Sequence, residues 1–124
     1  MKSEYKGTKR ILKGFSYSWD GFKAIFETEA SFRQDLVFCA LCLFGFCFLP
    51  INKVMYFTLF ISLSFVLFAE AVNTAIEVIV DRIGEEYNPL SKKAKDIGSF
   101  LVLLSFINLF VFLGIVVYSL IKGL

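Results

Sequence analysis

FAEAVNTAIEVIVDRIGEEY, residues 68–87, overlaps the last two residues of a run of sixteen uncharged residues, 54–69. Such a run is typical of a helix that lies in a lipid bilayer. The polar side chains that follow it are Glu70, Asn73, Glu77 and Asp81. A carboxylate within hydrocarbon costs about 2.5 to 3.5 kcal/mol, so acids at such positions usually mark a functional site.

The composition indicates a membrane protein. The chain has 124 residues, of which 57% are hydrophobic and sixteen are Phe, which is too apolar for a soluble domain of this size. Three weakly charged segments are each long enough to cross a bilayer once flanking residues are included. We therefore predict a single all-α membrane domain, residues 1–124, with transmembrane helices at about 35–51, 54–82 and 98–121.

The links between these segments have different characters. Pro50 in PINK, residues 50–53, predicts a tight turn after the first segment, because proline cannot continue a helix without losing a hydrogen bond. GEEYNPLSKKAKDIGS, residues 84–99, mixes Gly, Pro and Asn with many charges, and predicts a loop or a short broken helix in water.

Residues 1–34 predict an amphipathic helix that lies in the membrane interface. Hydrophobic side chains recur there at spacings of four, four, three and four, which places them on one stripe. The next step along the stripe is Glu29, an acid where another hydrophobe is expected. The stripe consists of Ile11, Phe15, Trp19, Phe22 and Phe26.

Charge placement predicts the orientation. Eleven of the thirteen Lys and Arg residues lie in the N-terminal segment or in the link at 84–99 and its flank, so both should be cytoplasmic and the C-terminus outside. The basic N-terminus has no short apolar core before a cleavage site, so it is not expected to be a signal peptide. Its cations alternate with acids, which argues against nucleic-acid binding and favours attraction to anionic lipids.

Cysteine usage gives no sign of a metal centre. Cys39, Cys42 and Cys47 all lie in the first apolar segment, and the chain has no histidine. We expect these thiols to pack as small hydrophobic groups.

The polar residues of the opening stretch are spaced by three, four and four, which puts them on one helix face. A polar seam between helices is one interpretation. The other is chemical: Glu77 could join Glu29 in holding Mg²⁺, and Glu70, about 10 Å deeper, is suited to accept a proton from an alcohol. Basic residues near this face would suit a polyphosphate, although the chain has neither GxxxxGK[ST] nor GxGxxG.

Three motifs resemble the small integral-membrane diacylglycerol kinases of bacteria. They are GFSYSWDGFKAIFETEASFRQ, EAVNTAIEVIVDRIGEEY and LSKKAKDIGS; the overall length and the three-helix hydropathy also agree with the family, so the resemblance covers nearly the whole chain. The resemblance implies ATP-dependent phosphorylation of diacylglycerol to phosphatidic acid, with Mg²⁺, in phospholipid recycling at the inner membrane. It also implies a homotrimer whose sites are shared between neighbouring subunits.

The resemblance further implies roles for single residues. Glu70 would be the general base and Asn73 its support, and Glu29 and Glu77 would bind the metal and the nucleotide phosphates. The remaining ATP contacts would be Arg10, Tyr17, Glu86, Lys95 and Asp96. The lipid contacts would be Ser18, Trp19, Phe32, Arg33, Gln34, Glu70 and Ser99. The chain departs from the family pattern at Asn88 and Pro89, so no contact is carried over to position 88.

Two alternatives remain open. A kinase of the same family could phosphorylate undecaprenol, although TEASFRQD, residues 28–35, favours diacylglycerol. A small ion-conducting subunit could use Glu70, Asn73 and Glu77 as an ion path. The second alternative does not explain Glu29 or the adjacent Lys95 and Asp96.

Overall fold

The computed structural model describes residues 5–123 and contains four α-helices in that range, with no strand. The predicted all-α class is thereby confirmed. The helices are α1, Gly7–Thr28; α2, Ala30–Phe46; α3, Lys53–Ile83; and α4, Pro89–Lys122.

Helices α3 and α4 form an antiparallel hairpin, which is the most extensive contact in the fold. Ser62 and Ser105 are buried in it, and the Ser105 hydroxyl donates to the carbonyl of Val102 at 2.7 Å. Small hydroxyl residues allow two helices to approach closely in an apolar environment while keeping their own polar atoms bonded. The same hairpin fully buries Leu59 and Leu109.

Helix α2 packs antiparallel against α3. The Tyr56 hydroxyl donates to the carbonyl of Leu43 at 2.9 Å, and the Cys39 thiol lies 3.9 Å from the carbonyl of Leu63. Cys39 belongs to the hydrophobic core together with residues of α3 and α4. This part of the cysteine prediction is confirmed for Cys39, whereas Cys47 is exposed.

Helix α1 buries none of its residues. Its stripe stays exposed, from 39% at Phe22 to 71% at Phe15. The helix ends at Thr28 because Glu29 adopts an extended conformation, with φ −113° and ψ 104°. The Arg33 guanidinium then donates to the free carbonyls of Phe26 and Glu27, which stabilises the end of α1.

Two details differ from the sequence predictions. Glu29 is not a further step of the α1 stripe but the break between α1 and α2. The link predicted at 84–99 is wrong beyond residue 88, because α4 already begins at Pro89. The Asn88 side chain caps this helix by accepting from the backbone N–H groups of Leu90 at 2.9 Å and Ser91 at 3.3 Å.

Within the described residues, α3 and α4 are the two helices long and apolar enough to cross a membrane. Helix α2 has 17 residues and is therefore about 25 Å long at about 1.5 Å per residue, slightly short of a hydrocarbon core of about 30 Å. The first of the three predicted spanning helices, at about 35–51, therefore stays a prediction.

Candidate active site

The polar face of α3 lies in the C-terminal half of the helix, near the start of α4, and its side chains there are half-buried. Glu70, Asn73 and Glu77 all have intermediate exposure. The Asn73 amide donates to the Glu77 carboxylate, with Nδ2 and Oε1 3.3 Å apart. The hydrogen bond fixes the orientation of the amide, since its nitrogen must face Glu77.

Asn73 also faces α4, where it packs against Gly98. Gly98 is buried, and a Cβ atom there would collide with Asn73 Oδ1. That oxygen is itself buried and has no hydrogen-bond partner within the described chain. A buried amide oxygen without a partner costs free energy, and this one lies packed against the backbone of Gly98. Ser99, a predicted lipid contact, follows directly and is exposed.

The electrostatic environment of Glu70 consists of other acids. The residues that interact with its carboxyl group are Asp35, Glu77 and Glu29. Glu29 is half-buried at the break between α1 and α2, so the two predicted metal ligands, on different elements, converge on one region. The predictions missed Asp35, although its position at the edge of an apolar segment resembles that of Glu70.

A second group of charges lies where α3 ends and α4 begins. The Lys95 ammonium is 2.8 Å from Asp81 Oδ1, and the Lys92 ammonium is 2.6 Å from Asp96 Oδ2. Lys95 precedes the apolar part of α4, and its hydrogen bond and charge attraction to Asp81 raise the pKa of the ammonium above its ordinary value. The ammonium keeps two further N–H donors for a ligand.

These charges surround an open cavity of about 590 Å³. It brings together three of the predicted nucleotide contacts, Glu86, Lys95 and Asp96, with Asp81, which was predicted on the polar face of α3 but not as a nucleotide contact. The Glu86 carboxylate folds back against Gly84. The predictions did not include the pair of Asp81 with Lys95, because the two residues lie fourteen positions apart on different helices.

The predicted site residues on α1 lie apart from these contacts. Arg10, Tyr17, Ser18 and Trp19 are exposed. The Ser18 hydroxyl donates to the carbonyl of Gly14 at 2.9 Å, and Trp19 stacks on Phe22 with ring centroids 5.5 Å apart. In the described residues no hydrogen bond or ion pair joins these four side chains to α3 or α4.

An apolar groove of about 590 Å³ runs between α1, the start of α2 and α3. Phe32, a predicted lipid contact, is 7% exposed in its wall and packs edge-on against Phe22. Ala71, the neighbour of Glu70, also lines the groove. Of the other predicted lipid contacts, Arg33 caps α1 and Gln34 is exposed. The groove could therefore hold a hydrocarbon chain whose polar end lies near Glu70.

The oxygen atoms of the polar face suit a hard cation but do not form a complete cage. Within residues 5–123, no three His, Cys, Asp or Glu side chains lie close enough to hold a metal ion together. Mg²⁺ usually binds through one or two carboxylates and completes its shell with water and substrate phosphates. Glu77 and Glu29 fit that pattern in chemistry and in number, since each supplies one carboxylate.

Comparison with known proteins identifies the family. A family model described as prokaryotic diacylglycerol kinase matches residues 16–117. The diacylglycerol kinase of Escherichia coli is 41% identical over 107 residues, which cover 86% of this chain and 88% of that protein. The diacylglycerol kinase of Pseudomonas aeruginosa is 43% identical over 94 residues, which cover 75% of this chain and 76% of that protein. The diacylglycerol kinase of Helicobacter pylori is 35% identical over 94 residues, which cover 76% of this chain and 73% of that protein. The resemblance seen in the sequence is confirmed, and the chain belongs to the prokaryotic diacylglycerol kinase family.

Proposed function

We propose that the protein is an ATP-dependent diacylglycerol kinase that forms phosphatidic acid in phospholipid recycling. Its membership of the family and the names of its relatives support a lipid kinase. The observation that carries the assignment on this chain is the half-buried polar face of α3, placed between an apolar groove on one side and a charged cavity on the other. Lipid phosphorylation needs such an arrangement, because it joins a hydrophobic acceptor to a polyphosphate donor.

In this mechanism Glu70 is the general base. It accepts the proton of the lipid hydroxyl while the hydroxyl oxygen forms a bond to the γ-phosphorus of ATP and the bond from that phosphorus to ADP breaks. Asn73 supports the polar face through its hydrogen bond to Glu77. The apolar groove beside Ala71 holds the lipid chain so that its hydroxyl reaches Glu70.

The nucleotide is held by the residues of the charged cavity and by two acids, Glu29 and Glu77. Glu29 and Glu77 would bind Mg²⁺ together with the phosphates, and bound Mg²⁺ supplies neutralisation of the phosphate charge. Lys95 and Asp96 contact the nucleotide from the first turns of α4, and Glu86 does so from the link before it. Arg10 and Tyr17 would reach the nucleotide from α1.

We further propose the arrangement in the membrane. Helices α2, α3 and α4 span the bacterial inner membrane, α1 lies in its cytoplasmic interface, and the C-terminus is outside. The exposed stripe of α1 supports the interfacial position, since lipid can cover it. The active form would be a homotrimer with shared sites, an arrangement in which a neighbouring subunit brings Arg10 and Tyr17 to the acids of α3.

The deciding experiment is a transfer assay with two acceptors. Purified protein in mixed micelles receives labelled ATP and either diacylglycerol or undecaprenol, and labelled lipid is measured. We expect phosphatidic acid to form with the higher kcat/KM. A higher value for undecaprenol would assign the protein to the other acceptor, and no transfer to either lipid would leave the ion-path interpretation, which a proton or cation flux assay in vesicles would then test.

A further inference from the structure

Asn108 is a polar residue in the middle of an apolar helix. The nearest charged residues along α4 are Asp96 and Lys122, 12 and 14 positions away. At about 1.5 Å per residue, Asn108 therefore lies about 18 Å or more from either charge. With α4 across a hydrocarbon core of about 30 Å, as proposed above, neither water nor a lipid headgroup reaches this depth.

The Asn108 side chain faces away from the rest of its own chain. Ser105 and Leu109, on the neighbouring positions of α4, are fully buried, whereas Asn108 is exposed. Its amide forms no hydrogen bond with any described residue. An amide in hydrocarbon without a partner costs free energy, and Asn side chains in membranes commonly bond to a neighbouring helix. The partner of Asn108 must therefore come from another protein chain.

A second copy of this chain offers a polar group at the same depth. Asn73 packs against Gly98. Because α3 and α4 are antiparallel and rise equally, ten residues further along α4 correspond to ten residues back along α3, so Asn108 lies level with Leu63. The next residue, Ser64, is exposed, and its hydroxyl forms no hydrogen bond within the described chain. Copies in one membrane share one orientation, so these two side chains lie at one depth in neighbouring copies.

Asn108 and Ser64 lie on different faces of the protein. Ser64 lines the apolar groove between α1, α2 and α3, to which no described residue of α4 contributes. Within one turn of this depth, the described helices expose no other polar side chain. A contact between Asn108 of one copy and Ser64 of the next satisfies both groups, whereas a contact between two Asn108 side chains leaves each Ser64 unpaired. A contact between two different faces closes into a ring of copies.

We propose that the Asn108 amide of one copy donates a hydrogen bond to the Ser64 hydroxyl of a second copy, and that this contact docks α4 on the neighbour's α3. The inference rests on the proposed position of both helices across the membrane. Because Ser64 lies in the wall of the apolar groove, the docked α4 also covers the inner end of the groove. The exposed face of α4 is thus an interface between copies at this depth and not a surface for lipid.

Disulfide formation between copies tests the contact directly. Asn108→Cys and Ser64→Cys are made in a background in which Cys39, Cys42 and Cys47 are replaced by alanine, and each variant carries its own affinity tag. Membranes containing one variant or both are treated with an oxidant and resolved by non-reducing electrophoresis. The matched control replaces Asn108→Cys by Phe110→Cys, which lies at a similar depth and is 60% exposed on the other side of α4.

We expect a dimer that carries both tags when Asn108→Cys and Ser64→Cys are expressed together, and monomers when either is expressed alone. Phe110→Cys with Ser64→Cys should stay monomeric. With both substitutions in one chain, oxidation should link successive copies into a ladder that ends at the number of copies in the ring. Asn108→Cys should not react with a hydrophilic thiol reagent in intact membranes, since this position lies in hydrocarbon.

The contribution of the hydrogen bond is measured on the assembly itself. In detergent, Asn108→Leu should raise the dissociation constant of the assembly about 3-fold to 30-fold, which is the range for one hydrogen bond between membrane helices. Ser64→Ala should act alike, and the double variant should differ from either single variant by less than about twofold, because the two changes remove one interaction. Phe110→Leu, which changes one apolar group for another, should leave the constant unchanged.

Several results would overturn the proposal. Self-linking of Asn108→Cys would place α4 against α4, and a disulfide within one chain would place both residues in one protomer. Unchanged assembly in Asn108→Leu would show that the amide does not stabilise the contact. Reaction of Asn108→Cys with the hydrophilic reagent would remove the spanning position of α4. A missing cross-link in a protein that phosphorylates diacylglycerol would remove this contact alone, whereas a cross-linked assembly without kinase activity before oxidation would remove the proposed function alone.

Discussion

At the scale of single residues, the spacing of residues along one helix predicts which side chains share a face, but it does not predict contacts between helices. The three-and-four spacing of Glu70, Asn73 and Glu77 predicts a common face, and the structure places all three half-buried with Asn73 bonded to Glu77. Asp35 could not be found in this way, because the register of α2 against α3 is not encoded in the periodicity of either helix. The ion pair of Asp81 with Lys95 was not predicted for the same reason, since Lys95 belongs to α4.

The role of Glu70 can be tested by removing its charge. Glu70→Gln keeps the size and the hydrogen-bonding capacity, so a packing role should survive, whereas an amide cannot act as the base. General-base catalysis contributes about 10² to 10⁴ in rate, so kcat for lipid phosphorylation should fall by that order while ATP binding changes little. Glu70→Asp should recover activity only in part, because its carboxylate is one methylene shorter. Near-normal turnover in Glu70→Gln would reopen the interpretation of this face as an ion path.

The proposed metal ligands call for a different measurement. Glu77→Gln and Glu29→Gln each remove one carboxylate from the oxygen set, so both should raise the concentrations of Mg²⁺ and ATP needed for half-maximal rate. Glu27→Gln is the control, since Glu27 is an exposed acid near the end of α1. If both site variants show an unchanged Mg²⁺ dependence, the two glutamates belong to a polar seam between helices.

At the scale of the elements, local signals determined some boundaries and tertiary contacts determined others. Asn88 and Pro89 are a strong start signal for a helix, and the structure begins α4 there, although the density of charges favoured a loop in the sequence. The break between α1 and α2 has no such signal. It depends on an extended Glu29 and on Arg33 bonding to the end of α1 from the next helix.

The contact between Gly98 and Asn73 gives a prediction about α3 and α4 as a pair. Alanine at 98 would favour the helix by about 1 kcal/mol, but its Cβ would collide with Asn73 Oδ1 and displace the amide bonded to Glu77. We expect Gly98→Ala to lower kcat about tenfold or more, without a corresponding loss of folded protein, since small displacements at a site are costly in rate. Gly114→Ala, where the structure has nothing within 4 Å of the added Cβ, should keep full activity. Equal activity of the two variants would show that the close approach at Gly98 has no catalytic role.

At the scale of the whole molecule, the surface is that of a protein surrounded by lipid or by its own copies. Large hydrophobic side chains are exposed on every helix, including Phe44 at 67% and Phe110 at 60%. Composition predicts this outcome, because a chain with sixteen Phe residues cannot bury them in a single small core. Composition does not fix how many copies assemble, since oligomeric state depends on the shape of these exposed faces.

The orientation of the molecule is the last prediction, and it follows from the charge distribution. Eleven of thirteen basic residues lie on the proposed cytoplasmic side, and Lys53 is the one basic residue at the opposite turn, as the first residue of α3. In a cysteine-free background, Ser91→Cys should react with an impermeant thiol reagent only after the inner membrane is opened, and Ser3→Cys, which lies outside the described residues, should behave alike. Lys53→Cys is the control on the opposite side and should react in intact spheroplasts. Labelling of Ser91→Cys in intact spheroplasts would invert the proposed orientation and would place the charged cavity of about 590 Å³ on the side of the membrane that lacks ATP.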